Sequence, residues 1–205
     1  MKPSDFYIGI VDIIGIMLPG GLLALLFSDA ARTHIFNGSL MPMLTDEKAN
    51  VAALLVAAFL LGKGADAVGS VAFDWLTDKT YRAWKVGKHA GLITKAGQVR
   101  EKQLGKEHAD MVSDFRWARV SARERSPQGI LAVERLEADA KLFRGLTIVF
   151  LVAALKLFVS GQVLPGFIAT GLALLALARC SVQRWQRDKT ALEHFVARET
   201  LVPGT

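Results

Sequence analysis

The stretch VAALLVAAFLLGKGADAVGSVAF, residues 51–73, decides the fold. As a helix rising 1.5 Å per residue, it is long enough to cross the ~30 Å hydrocarbon core of a bilayer. Only Lys63 and Asp66 interrupt its apolar character. Three further runs share that character. Residues 7–27 (YIGIVDIIGIMLPGGLLALLF) are apolar apart from Asp12, and residues 146–160 and 163–178 are separated only by Gly161 and Gln162. The expectation is an all-α fold: a four-transmembrane-helix bundle with a cytosolic helical hairpin extending from spans two and three.

Composition agrees with a protein divided between bilayer and water. The chain has 205 residues, 52% of them hydrophobic and 21% charged, with a mean hydropathy of +0.32. That is too apolar for an ordinary soluble domain and too charged for one wholly embedded. The organisation read from it is a first transmembrane helix pair over 1–73 (spans 7–27 and 51–73), a basic helical region over 74–144, a transmembrane hairpin over 145–180 and a polar tail over 181–205. A cleaved signal peptide is the competing reading of the first span, since Ser28-Asp29-Ala30 resembles a cleavage site. The long apolar run and the acid inside it argue against cleavage. Pro19 and Gly20 are expected to kink this helix.

Orientation follows from charge. With the amino terminus, residues 74–144 and the carboxyl tail on one side, that side holds 21 of the 25 basic residues. Only Arg32 and Lys48 fall opposite, so the positive-inside rule places both termini in the cytosol. All four tryptophans and both tyrosines fall on that same side. Lys156, six residues from the outer turn, is expected to snorkel outward.

The 74–144 region lacks strand patterning. Leu104, His108, Met111, Phe115, Ala118 and Ala122 recur at spacings of three and four, as on one helix face. Ser126-Pro127 is a start signal for a second helix, with a stripe of Val133, Leu136, Ala140 and Phe143 and an unbroken run toward residue 160. An interaction stripe of Leu104, Met111, Phe115, Val133, Leu136 and Phe143 results, buried either within one chain or by a protein partner. The 15 basic residues of this region interleave with 10 acidic ones, which suits anionic lipid headgroups better than a nucleic-acid groove.

Three ionisable groups fall within the inner half of the first two spans: Asp12, Lys63 and Asp66. Each costs at least ~2.5–3.5 kcal/mol at depth and needs a partner or a wet cavity. Lys63 and Asp66 share a helix face at a spacing of three and can pair, giving a polar cluster that ties span one to span two. The cluster reads as a structural fastener, as an ion or proton pathway, or as an end effect of a shorter second span. Gly62, Ala65 and Gly69 in span two, and Ala169 and Ala173 in span four, are candidate helix-packing positions.

No nucleophile elbow, phosphate loop, zinc-protease motif or dinucleotide fingerprint occurs, so no catalytic residues are assigned and a non-enzymatic role is expected. With one cysteine and four scattered histidines, no metal site or cofactor is expected either. The opening pattern of Phe6-Tyr7, Gly9, Asp12, Gly15 and Leu18-Pro19-Gly20 resembles the first span of small multi-span bacterial membrane proteins, some of them components of anti-phage defence. That resemblance covers about the first 25 residues and carries over no functional residue. The functional expectation is a sensor, anchor or effector subunit that forms a homo-oligomer, contacts membrane lipid and binds a cytosolic protein. A small ion channel or ion-coupled transporter built on Asp12, Lys63 and Asp66 is the alternative.

Overall fold

The computed structural model describes residues 3–30, 47–77, 90–104, 113–125 and 127–201, with side-chain surroundings over 13–27, 51–73, 90–103, 113–121 and 129–197. Among these residues there are six helices and no strand: α1 (Pro3–Ala30), α2 (Glu47–Thr77), α3 (Ala90–Leu104), α4 (Asp114–Arg125), α5 (Pro127–Val159) and α6 (Val163–Leu201). Three of them, over Val51–Phe73, Gly129–Val159 and Val163–Ala197, are long and apolar enough to cross a membrane. The apolar part of α1, Ile13–Phe27, is shorter. The all-α class and the membrane character therefore stand, with three clear candidate spans.

The chain forms two compact units. An apolar unit comprises Gly9–Asp74 and Ala138–Cys180, and a polar unit comprises Met1–Ile8, Trp75–Glu137 and Ser181–Thr205. The sequence reading starts the transmembrane hairpin at residue 145, and the apolar unit takes in α5 from Ala138 onward. The reason is local, since Ala138 and Leu142 already pack on Gly15 of α1.

In the apolar unit, α1 and α2 run antiparallel with their backbones in close approach. A Cβ on Gly20 would stand 1.7 Å from the Ala58 carbonyl oxygen, and one on Gly62 would stand 2.0 Å from that of Ile16. Only glycine permits this spacing. α1 continues through Pro19, whose ring is fully buried and packs on Gly145 of α5. Further along, Leu23, Ala65 and Val149 form a small core that joins α1, α2 and α5. The pairings of Gly15 with Ala138 and of Pro19 with Gly145 show that α1 and α5 run in the same direction.

α5 and α6 form the antiparallel hairpin expected from Gly161-Gln162. Gly161 adopts φ 76°, and its N–H and that of Gln162 donate to the carbonyls of Phe158 and Leu157. This pairing caps the end of α5, and the left-handed conformation at its centre is one that glycine adopts without strain. The hairpin is closed by an edge-to-face contact of Phe158 with Phe167, with ring centroids 5.4 Å apart, and by Gly166 lying under the Phe158 ring. Farther along, the buried Cys180 thiol donates to the Ala140 carbonyl at 3.3 Å.

The polar unit has its own core of Ala96, Ala118, Val133, Ala191, Leu192 and Phe195, drawn from α3, α4, α5 and α6. Two sequence expectations are corrected here. Residues 181–201 are the continuation of α6, and their apolar residues at spacings of one and four complete this core; they are not a polar tail. The run from Leu104 to Ala122 is also not one described helix. α3 ends at Leu104, and α4 starts after Ser113, whose hydroxyl accepts from the Arg116 N–H at 3.4 Å as an N-cap. Phe195→Ala is expected to lower the stability of this unit by about 3–5 kcal/mol. Thermal unfolding of the full chain in detergent, followed by tryptophan fluorescence, measures the loss; an unchanged midpoint would mean that Phe195 is not a core residue.

Candidate functional site

The polar groups inside the apolar unit are the natural place to look for function, because each is expensive to hold there. α2 presents Asp66 toward α5, and α5 presents Arg144 toward α2. The guanidinium donates from Nε to Asp66 Oδ1 at 3.0 Å and from Nη2 to the same oxygen. The two side chains are 13% and 22% exposed, so the pair is largely withdrawn from solvent. Gly69, one turn along α2 from Asp66, makes room for it. A Cβ there would stand 2.6 Å from Arg144 Cγ, so the arginine stem lies across bare backbone. Arg144, Asp66 and Gly69 thus form one built arrangement, which neutralises a carboxylate and sets the register of α2 against α5.

Asp66 therefore does not pair with Lys63, as the spacing of three had suggested. The arginine offers two donors to one carboxylate oxygen, a stronger arrangement than a single lysine ammonium on the same helix. Lys63 is exposed, and its ammonium lies 5.9 Å from the centre of the Phe59 ring, one turn back on α2. Asp12 belongs to α1, but its side chain lies outside the described surroundings. The expected cluster of Asp12, Lys63 and Asp66 is thus not assembled from the groups described: Asp66 has Arg144, and Lys63 has an aromatic ring.

The sequence reading passed over Arg144 because it stands at the point where charged sequence gives way to the apolar run. Its signal was the Arg144-Gly145 step, read as the edge of the charged region. Since α5 does not break at Gly145, the arginine is carried onto the packed face of a continuous helix.

Lys156 also has a partner: its ammonium donates to the Leu26 carbonyl near the carboxyl end of α1, at 2.8 Å. A cation there is favoured by the helix dipole. The expected packing positions Gly62, Ala65, Gly69, Ala169 and Ala173 are all buried. Between α1 and α2 an open, wholly apolar groove of about 430 Å³ runs over Gly21 and Ala58, with Leu18, Leu25 and Leu54 among its walls.

The interaction stripe divides between the units. Val133 is fully buried in the polar unit, and Phe115 packs on the same core beneath the Arg187 guanidinium, 4.6 Å from its ring. Within this chain, then, α6 residues cover those positions. Leu136 is half-buried, and Phe143 belongs to the apolar unit, with Arg179 6.0 Å from its ring. The Leu104 side chain and all of Met111 lie outside the described residues. Ion pairs join the helices of the polar unit: Arg100 with Asp114 at 3.1 Å, and Arg119 with Glu137 at 2.8 Å. Trp117 donates from its indole to Gln103 at 2.9 Å. Partly exposed pairs of this kind contribute about 0–1 kcal/mol each, so they orient helices more than they stabilise them.

Among the described residues no group of three His, Cys, Asp or Glu is placed to hold a metal ion. Compared with protein-family models, curated proteins and solved structures, the chain matches none.

Proposed function

We propose that the chain is a four-span protein of the bacterial inner membrane, with both termini cytosolic, that works without catalysis as a sensor, anchor or effector subunit through homo-oligomerisation. The observation that carries this reading is that α5 and α6 each supply residues to both units, so that a polar helical unit with its own core is built from the same helices as the apolar spans. A fourth span is supported by α1, which runs parallel to α5 from Gly15 to Leu26 and receives Lys156 at its far end. The charge distribution supports the orientation.

The setting we favour is anti-phage defence, on the strength of the opening pattern from Phe6 to Gly20. Cells that carry the chain with its neighbouring genes should plate phage less efficiently than cells without it; equal plating would remove the defence setting. The oligomer has its own test. Native mass spectrometry from mild detergent should give a complex of two or more copies, and a monomer at every concentration would overturn the homo-oligomeric reading.

A second reading, as a small ion channel, is favoured by one observation. Lys63 is an exposed cation in the middle of an apolar helix.

A further inference from the structure

We infer that the Lys63 face of α2 lines a water-filled axis between copies of this chain and that the ions admitted there are small anions. This deepens the channel reading and rests on the homo-oligomeric one.

Lys63 is ten residues from Phe73 and twelve from Val51, which puts its backbone ~15 Å and ~18 Å from the two ends of the apolar stretch. From that midpoint a four-carbon stem reaches neither interface. Ionisable groups at such depth face a bundle interior or a water-filled cavity. Among the described residues the single chain provides neither for Lys63, which is exposed with the Phe59 ring of its own helix beside it. Asp66, the carboxylate nearest in sequence, is engaged by Arg144 and leaves the lysine charge in place.

The same face is shaped for close approach. Gly64 and Ala67 beside Lys63 are exposed, and a Cβ on Gly64 would meet nothing within 4 Å. Leu60 and Val71 extend the uncovered surface at 63% and 84% exposure. A closed ring of identical copies brings one such face from each copy to a common axis. Dry contact of lysine with lysine is repulsive, whereas water and counter-anions between them remove the penalty. Rings of lysine or arginine select anions, as rings of carboxylates select cations. Among the described residues the acid beside Lys63, Asp66, is neutralised by Arg144 within the chain, which favours anions in the pathway.

The test uses the full chain in liposomes with Ala67→Cys, one turn from Lys63. Its rate of modification by anionic sulfonatoethyl methanethiosulfonate is compared with that by the cationic trimethylammonium-ethyl reagent, each normalised to a free thiol. Cys180 is buried and serves as the internal background. The anionic reagent is expected to react faster by about tenfold or more, as a focused field concentrates counter-ions. Lys63→Arg should keep the preference and Lys63→Glu should reverse it. A cationic preference in the parent chain overturns the sign, and exclusion of both reagents overturns the wet axis. Oxidative cross-linking of Ala67→Cys separates the two levels. Linked copies that exclude both reagents leave the oligomer standing and remove the inference. Failure to link, with monomers by mass, removes both.

Discussion

Arg144→Leu is expected to destabilise the apolar unit by about 3–5 kcal/mol, the loss that follows when one member of a buried ion pair is removed and the other charge is stranded. Asp66 would then be left without its partner among apolar helices, and the stem that lies across Gly69 would also be gone. Asp66→Leu alone should cost a similar amount by stranding the guanidinium. The double replacement is the informative one. Two well-packed apolar side chains in place of a buried pair are often neutral or better, so most of each single loss should be recovered. Denaturant unfolding in mixed micelles over this double-mutant cycle measures the coupling. Losses that simply add would show that the two side chains do not act as a pair.

The second large effect is expected at the contact of α1 with α2. Gly20→Ala and Gly62→Ala each place a methyl group within about 2 Å of a backbone carbonyl oxygen, and a backbone atom cannot turn aside as a side-chain tip can. The helices must separate. Overpacking of a core costs typically about 1–3 kcal/mol and occasionally more, and these backbone contacts belong at or above the top of that range. Gly171→Ala is the matched control, because nothing lies within 4 Å of the added Cβ. It should be neutral, or stabilising by up to about 1 kcal/mol from helix propensity. Equal behaviour of Gly20→Ala and Gly171→Ala would mean that α1 and α2 do not meet through glycine.

Much of the architecture was legible because its signals are local. The apolar length of 51–73, the Gly161-Gln162 turn and the start of α5 at Pro127 each depend on a few adjacent residues, and each recurs in the structure. The features that escaped are those set by neighbours distant in sequence. Asp66 could be matched to Lys63 by helical spacing, but its partner stands 78 residues away on α5. The stretch from Ser181 onward looked polar by composition, and only the core formed with Ala96, Ala118 and Val133 shows why Ala191, Leu192 and Phe195 are spaced as they are. The break before α4 had a signal that was passed over, Ser113 followed by Asp114 in the first turn, because the apolar stripe across it ran on at helical spacing.

The three-residue connection between α5 and α6, Ser160 to Gln162, also bears on the order of assembly of the nascent chain. Helices joined so tightly can pair as soon as both have been made, at little loop-closure cost. The Leu26 carbonyl, by contrast, must wait for the ammonium of a residue made 130 positions later. During that interval α1 and α2 have only each other, and their glycine-backed contact can close before α5 has been synthesised. In an assembly of two halves, the glycine pair first and the hairpin second, the Asp66–Arg144 ion pair, the Pro19–Gly145 packing and the Lys156–Leu26 hydrogen bond belong to the step that joins them.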